Sequence, residues 1–154
     1  ARHGLAATTY GTDKAIFGYG EAGGVHSMTN LVSSSGVVAA DVTGVGTART
    51  VPAAAGYGTD KALFGYGDGY TAVTNLVSNV GVVATDVSGV GTARGSLAAA
   101  AYGGDKAIFA YGYNGSGYLS MSNLVSNSGV VATDVSGVGT SRSVLAAAGY
   151  SYSA

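Results

Sequence analysis

Residues 75–94 read "NLVSNVGVVATDVSGVGTAR", and nearly the same twenty residues occur twice more in the chain. "NLVSNSGVVATDVSGVGTSR" fills 123–142 and differs at two of the twenty positions, and "NLVSSSGVVAADVTGVGTAR" fills 30–49. Sequence repeated at a fixed period predicts one structural unit repeated in space. The fold of a single copy therefore determines the architecture of the whole chain.

The repeat extends beyond this phrase. "YGTDKAIFGYG" begins at Tyr10, "YGTDKALFGYG" at Tyr57 and "YGGDKAIFAYG" at Tyr102. An arginine marks the start of each unit, with spacings of 47, 45 and 48 residues between Arg2, Arg49, Arg94 and Arg142. We therefore divide the 154-residue chain, as a single repeat domain, into units of about 1–47, 48–92 and 93–140 and a partial unit over 141–154.

Each unit contains four short apolar runs, which in the first unit are "LAATTYG", "KAIFGYG", "SMTNLVS" and "GVVAADV". The runs are bounded by Gly, Asn, Ser or Asp, which is typical of β-strands. No window has the pattern of a capped amphipathic helix. The alanine runs are too short and too closely flanked by glycine to nucleate a helix. The sequence predicts an all-β fold with four antiparallel strands in each unit.

Composition narrows the classes of partner. The net charge is −1 and charged residues make up only 10% of the chain, which argues against nucleic acid as a partner. There is no cysteine, so disulfides and thiolate metal sites are excluded. We see no leader sequence and no stretch approaching eighteen apolar residues, so we do not expect a membrane partner.

The motif "R-x-x-L-A-A-A-x-Y-G-x-D-K-A-I-F-x-Y-G" resembles the start of a kelch repeat, with an arginine, a small-residue first strand and a hydrophobic strand that ends in glycines. The resemblance implies a β-propeller made of four-stranded blades, three in this chain. Two features depart from the family pattern: Gly-Tyr-Gly at 18–20 and 65–67 and Ala-Tyr-Gly at 110–112 replace paired glycines, and the fourth-strand tryptophan is missing. The main alternative is a β-solenoid, whose coils usually repeat in about 20–30 residues.

Three blades would not close a ring, because propellers have at least four. Exposed strand edges recruit further strands, so we expect the chain to assemble with itself. Twofold symmetry favours a homodimer with six blades. Larger rings and a ring of three chains stay open, as does the role of the surplus first-type strand in the partial unit.

Aspartate and arginine recur at a fixed distance of eight residues in each unit. A catalytic residue is normally needed once, whereas a structural residue is needed in every unit. We therefore predict that these side chains orient turns and pair between strands or blades. The alternative is a ring of repeated anion or sugar sites. The residues are Asp41, Arg49, Asp86, Arg94, Asp134 and Arg142.

The loops between the second and third runs differ between units in length and content, which suits a variable binding rim. Tyrosine and small polar residues there are suited to contacts with glycans or proteins. The alternative is that these tips vary without function. The candidate ligand-binding residues are Glu21, His26, Asp68, Tyr70, Tyr113, Asn114 and Tyr118.

Catalytic patterns are weak in this chain. The two histidines lie at non-equivalent positions, and Glu21 and Asp68, the acids outside the repeat, each stand alone in a loop. We expect no enzyme activity, no metal and no cofactor.

The leading interpretation is a non-enzymatic, self-assembling propeller that serves as a structural or binding scaffold. The alternatives are a carbohydrate-binding propeller with one site per blade, a hydrolase on the same fold, and an engineered fragment without a ligand. Similar repetitive arrays in environmental bacterial and phage proteins suggest a surface or fibre component, extracellular or phage-associated. The sequence leaves the host and the compartment open.

Overall fold

The computed structural model describes residues 1–149, and residues 150–154, the end of the partial unit, lie outside this described part. The described chain is all-β, as predicted, and forms three antiparallel sheets with strand orders β1-β2-β3, β4-β5-β6 and β7-β8-β9. Each sheet lies within one of the three units. The strands are β1 Ala6–Tyr10, β2 Lys14–Gly18, β3 Thr29–Val32, β4 Ala53–Tyr57, β5 Lys61–Gly65, β6 Thr74–Val77, β7 Ala98–Tyr102, β8 Lys106–Ala110 and β9 Ser122–Val125.

Each sheet has two distinct faces, because side chains alternate along a strand. In the first sheet Phe17 pairs with Asn30, and the next pair, Ile16 with Leu31, lies on the opposite face. We call the face that carries Phe17 the Phe face. The opposite face carries Ile16 and the buried Tyr10, which pack together, and we call it the Tyr face. The Phe faces carry Phe17 and Asn30, Phe64 and Asn75, and Phe109 and Asn123; the Tyr faces carry Tyr10, Ile16 and Leu31, Tyr57, Leu63 and Leu76, and Tyr102, Ile108 and Leu124.

The sheets stack so that the Tyr face of one unit covers the Phe face of the next. Tyr10 and Ile16 of the first unit share a buried cluster with Phe64 of the second, and the second unit packs on the third in the same way. A methyl group added at Gly18 would lie only 2.8 Å from Phe64 Cζ. Glycine at the end of β2 therefore makes room for the phenyl ring of the following unit.

The fourth apolar run differs from the prediction of a fourth strand. In the first unit it makes only isolated bridges, Thr29 with Val42 and Val32 with Val38. The Asn30 amide donates to Ala39 O at 3.2 Å, so a side chain supplies part of the connection that a continuous backbone ladder would make. The run is left largely in solvent, with Val38 57% exposed.

The beginning of the partial unit is hydrogen-bonded to the segment that precedes β7. Val144 N donates to Ser96 O at 2.9 Å, Ser96 N donates to Val51 O at 3.3 Å, and Val51 N donates to Gly4 O at 2.6 Å. These bonds form one row that runs across all the units. No helix within residues 1–149 has the length and apolar character needed to cross a membrane.

Candidate functional site

A buried arginine lies between neighbouring units. The guanidinium of Arg49 stacks on the Tyr19 ring of the first unit, 4.1 Å from its centroid. Its Nε donates to Tyr66 O of the second unit at 2.6 Å, and its Nη1 donates to Thr47 O at 2.9 Å. Arg49 is only 1% exposed, so these partners replace water around the charge.

Asn75 and Asp86 complete the surroundings of this arginine. Arg49 Nη2 donates to Asn75 Oδ1 at 2.8 Å, and Asn75 Nδ2 donates to Asp86 Oδ1 at 2.8 Å. Asp86 also accepts hydrogen bonds from Thr47 N at 3.0 Å and Thr47 Oγ1 at 2.6 Å. We call this arrangement of tyrosine, arginine, asparagine, aspartate and threonine an arginine socket.

The socket is repeated between the second and third units. Arg94 stacks on the Tyr66 ring at 4.4 Å and donates to Asn123 Oδ1 at 2.7 Å. Asn123 donates to Asp134 Oδ1 at 2.9 Å, and Asp134 accepts from Thr92 Oγ1 at 2.7 Å. No buried side-chain nitrogen or oxygen in residues 1–149 lacks a hydrogen-bond partner. The network therefore compensates the burial of each guanidinium.

Charge and burial shift the titration of the socket groups. Burial raises the pKa of Tyr19 to about 12, although the nearby Arg49 charge opposes the rise. Burial also lowers the pKa of Arg49 from its ordinary value. Partial burial pushes the pKa of Asp86 upward, but hydrogen bonds from Thr47 and Asn75 outweigh this effect, so the pKa is lowered. Near neutral pH the socket holds a phenol, a guanidinium and a carboxylate.

The first and last units each hold part of a socket. Arg2 donates to Met28 O at 2.8 Å and to Asn30 Oδ1, and its Nη2 lies 3.9 Å from the Asp41 carboxylate. Arg142 stacks on the Tyr111 ring at 4.2 Å but is exposed. No side-chain hydrogen bond of Arg142 is found within residues 1–149.

Four of the predicted residues are therefore joined through an asparagine, Arg49 to Asp86 and Arg94 to Asp134. Asp41 instead lies beside Arg2, and Arg142 has no aspartate partner within residues 1–149. Among the described residues, Arg49 and Arg94 make no direct ion pair with Asp86 or Asp134. The asparagines escaped the sequence prediction because asparagine is also a common turn residue. The available signal was an amide at the start of each twenty-residue phrase, inside an apolar run: Asn30, Asn75 and Asn123.

The loops of the second and third units meet in a tyrosine cluster. Tyr70 contacts Tyr113 edge to face at a centroid distance of 6.0 Å, and Tyr113 contacts Tyr118 at 5.5 Å. Tyr113 Oη donates to Gly115 O at 2.9 Å. Tyr70 is 41% exposed and Tyr118 is 63% exposed, so the cluster offers aromatic surface to solvent. We define the tyrosine cluster as these three tyrosines.

The other predicted loop residues do not join this cluster through a described hydrogen bond. Glu21 pairs through its backbone with His3, and His26 Nε2 lies 3.2 Å from Ala22 O within its own loop. Asn114 Oδ1 accepts hydrogen bonds from Ser116 N and Gly117 N, which shapes the third loop. Asp68 N donates to Thr50 O at 2.9 Å. Binding of a ligand at these residues stays a prediction.

Comparison with known proteins gives no family assignment: no protein-family model and no curated protein sequence matches the chain. Within the described residues, no group of three or more His, Asp or Glu side chains is arranged to hold a metal ion.

Proposed function

We propose that the chain is a non-enzymatic β-propeller scaffold of kelch-like repeats that binds a second copy of itself. Two observations support the blade interpretation. Each unit forms one antiparallel sheet, and the first strands of neighbouring sheets, β1, β4 and β7, lie side by side. Units joined by repeated face-to-face contacts form quasi-one-dimensional arrays in which each unit contacts its neighbours.

The observation that carries the proposal is that the two outer faces are matching halves of the internal interface. The Phe face of the first unit is uncovered, with Phe17 37% exposed, whereas Phe64 and Phe109 are fully buried. The Tyr face of the third unit is partly uncovered as well, with Tyr102 37% and Leu124 40% exposed although the partial unit begins beside β7. Each face thus presents the chemistry that the other face binds inside the molecule.

A second copy is the occupant that this match favours. An exposed Phe face and an exposed Tyr face on one chain give a head-to-tail contact, which closes into a ring if the rotation per unit allows it. In the propeller interpretation, two chains of three units form a six-bladed ring. The assembly repeats an interface that the chain already makes twice.

Native mass spectrometry tests this proposal directly. We expect a major species at twice the 14.9 kDa mass of the chain. Phe17→Lys places a charge on the uncovered Phe face and should abolish this species, because a buried unpaired charge is costly. Val25→Lys is the matched control, since Val25 is 50% exposed in the first loop and outside both faces. A folded wild-type chain that stays monomeric at every concentration contradicts the proposal.

The tyrosine cluster favours carbohydrate binding as a second candidate function. Flat, exposed aromatic rings with a polar edge suit the apolar face of a sugar ring. The cluster joins the second and third loops, whereas the loop of the first unit has no tyrosine between 21 and 29. We therefore propose one site per chain, in place of the one site per blade that the repeat alone suggests.

A glycan array with wild-type protein tests this second function. We expect binding that Tyr118→Ala removes and that Val138→Ala, at an 82% exposed position outside the cluster, preserves. An array on which the wild type binds no glycan excludes carbohydrate binding and leaves the self-association proposal intact.

A further inference from the structure

Residues 142–149 lie where the first strand of a following unit would lie. Arg142 O accepts a hydrogen bond from Gly112 N at 3.0 Å, just as Arg94 O accepts one from Gly67 N at 2.9 Å. A methyl group added at Gly149 would approach Ala101 O of β7 to 2.6 Å, so the end of this segment runs against the third sheet. We call residues 140–149 the tail segment.

The tail segment and the N-terminal segment, residues 1–10, are copies of one element. Counting from each arginine, Leu145 corresponds to Leu5 and Gly149 corresponds to Thr9. If a second copy covered the Tyr face of the third unit with its own first unit, its β1 would occupy the same place as the tail segment. One position cannot hold both strands, so one of them must leave.

The N-terminal segment fills the first socket less completely than an internal arginine fills its own. Among the described residues, Arg49 stacks on a tyrosine ring whereas Arg2 has no such stacking. Asp86 accepts two kinds of hydrogen bond from Thr47, whereas Asp41 accepts none from a threonine within residues 1–149. Within residues 1–149, no tyrosine ring and no threonine completes the first socket.

The tail segment carries both missing components. Arg142 already stacks on Tyr111, and Thr140 precedes it by two residues, as Thr47 precedes Arg49. Placed in the first socket of a second copy, Thr140 would donate to Asp41 and Arg142 would donate to Asn30. The cation–π contact of Arg142 and the hydrogen bond from Thr140 to a charged group each favour the tail segment over the N-terminal segment as the occupant of the first socket.

We propose that self-association proceeds by strand exchange, in which the tail segment of one copy displaces the N-terminal segment of the next and pairs with its β2. This inference rests on the proposed self-association. The N-terminal segment then acts in the single chain as a replaceable cover for the first socket, and its release accompanies assembly.

A disulfide lock tests the exchange. Thr9 and Ala15 are directly paired between β1 and β2, and the chain has no native cysteine. Opposite residues in an antiparallel pair lie within the distance that a disulfide spans. In the Thr9→Cys/Ala15→Cys variant, oxidation should weaken association by at least roughly tenfold, and reduction should restore it. The reduced form is the matched control for the substitutions themselves.

Two measurements separate the failure of each proposal. Wild-type protein that stays monomeric overturns both the self-association and the exchange. Wild-type protein that assembles, together with an oxidised variant that assembles equally well, overturns the exchange alone. If the double-cysteine variant does not fold, amide hydrogen exchange on the wild-type protein still tests the strand exchange. On assembly, residues 5–10 should lose amide protection while 142–149 gain it, and unchanged protection in 5–10 contradicts the exchange.

Discussion

Phe17 and Phe64 hold the same position in neighbouring sheets, yet Phe17 is 37% exposed and Phe64 is fully buried. The difference comes entirely from what lies in front of each ring. Phe64 packs on Tyr19 at a centroid distance of 5.1 Å, whereas no unit covers Phe17 within the described chain. Nearly identical local sequence thus gives an interior residue at an internal interface and a surface residue at an outer face.

The largest expected effect separates these two phenylalanines. Phe64→Ala removes a fully buried ring from the contact between the first two units and should lower the free energy of unfolding by about 3–5 kcal/mol. Phe17→Ala should lower it by less than about 1 kcal/mol in the monomer, because the ring is already partly solvated. Urea denaturation of both variants measures the difference. Equal losses would show that Phe17 is covered in the monomer.

The second prediction compares two arginines. Arg94→Ala leaves the Asn123 amide oxygen and the Tyr111 carbonyl oxygen without their charged donor, and should cost about 3 kcal/mol of unfolding free energy. Arg142→Ala should change the stability of the monomer by no more than about 0.5 kcal/mol, because that side chain is exposed. Chemical denaturation below the concentration of self-association provides the test, and a large loss for Arg142→Ala contradicts it.

The third prediction concerns acid. Partial burial raises the pKa of Asp86 and of Asp134, but hydrogen bonds from threonine and asparagine lower it more strongly. Both pKa values therefore lie below the ordinary 3.8. A lowered folded-state pKa adds stability that is fully present above the unfolded-state value and is lost as pH falls through the folded-state value. We expect the urea concentration at the denaturation midpoint to be constant from pH 7 to about pH 5. Below about pH 4 we expect this midpoint to decrease.

The lysine-paired Asp13 and Asp60 also have a lowered pKa, because each accepts a hydrogen bond from the adjacent lysine. These pairs lie in exposed turns and salt screens them. The acid titration should therefore be measured in high salt. There, Asp86→Asn/Asp134→Asn should flatten the pH dependence, whereas Asp68→Asn, in the second loop, should retain it. A wild-type midpoint that does not change down to pH 2 contradicts the prediction.

The smallest expected effect concerns Ala110, which replaces the glycine found at the same position in the other units, Gly18 and Gly65. A methyl group at Gly65 would lie 2.7 Å from Phe109 Cζ, so Ala110 should crowd the Phe17 ring of an incoming copy. Ala110→Gly should tighten association about fivefold, which corresponds to about 1 kcal/mol. Sedimentation equilibrium measures this change.

Gly18→Ala is the counterpart of that substitution at an internal interface. It should destabilise the monomer by about 1–3 kcal/mol, because it overpacks the Phe64 ring. Unchanged association in Ala110→Gly would indicate that Phe17 of the second copy does not approach Ala110.

The repeats and strands could be predicted because short apolar runs between turn residues directly encode strand length and position. The fourth strand was overpredicted: the sequence "GVVATDV" has the same β-branched character as a strand, and nothing in it indicates that Asn75 holds the run through its side chain. The tyrosine cluster was predicted only as separate loop residues. The contact of Tyr70 with Tyr113 depends on how two sheets stack, which is a long-range property.

The two internal sockets are chemically equivalent, and this bears on how the chain folds. Arg94 encounters the same asparagine, aspartate and threonine types in either socket, so side-chain chemistry does not encode which arginine belongs where. Only the connecting chain, with spacings of 47, 45 and 48 residues, assigns each arginine to its own unit. At high concentration that assignment weakens, because another molecule offers the same partners. Refolding from concentrated solution should therefore yield entangled species with exchanged units, a hazard characteristic of repeat proteins.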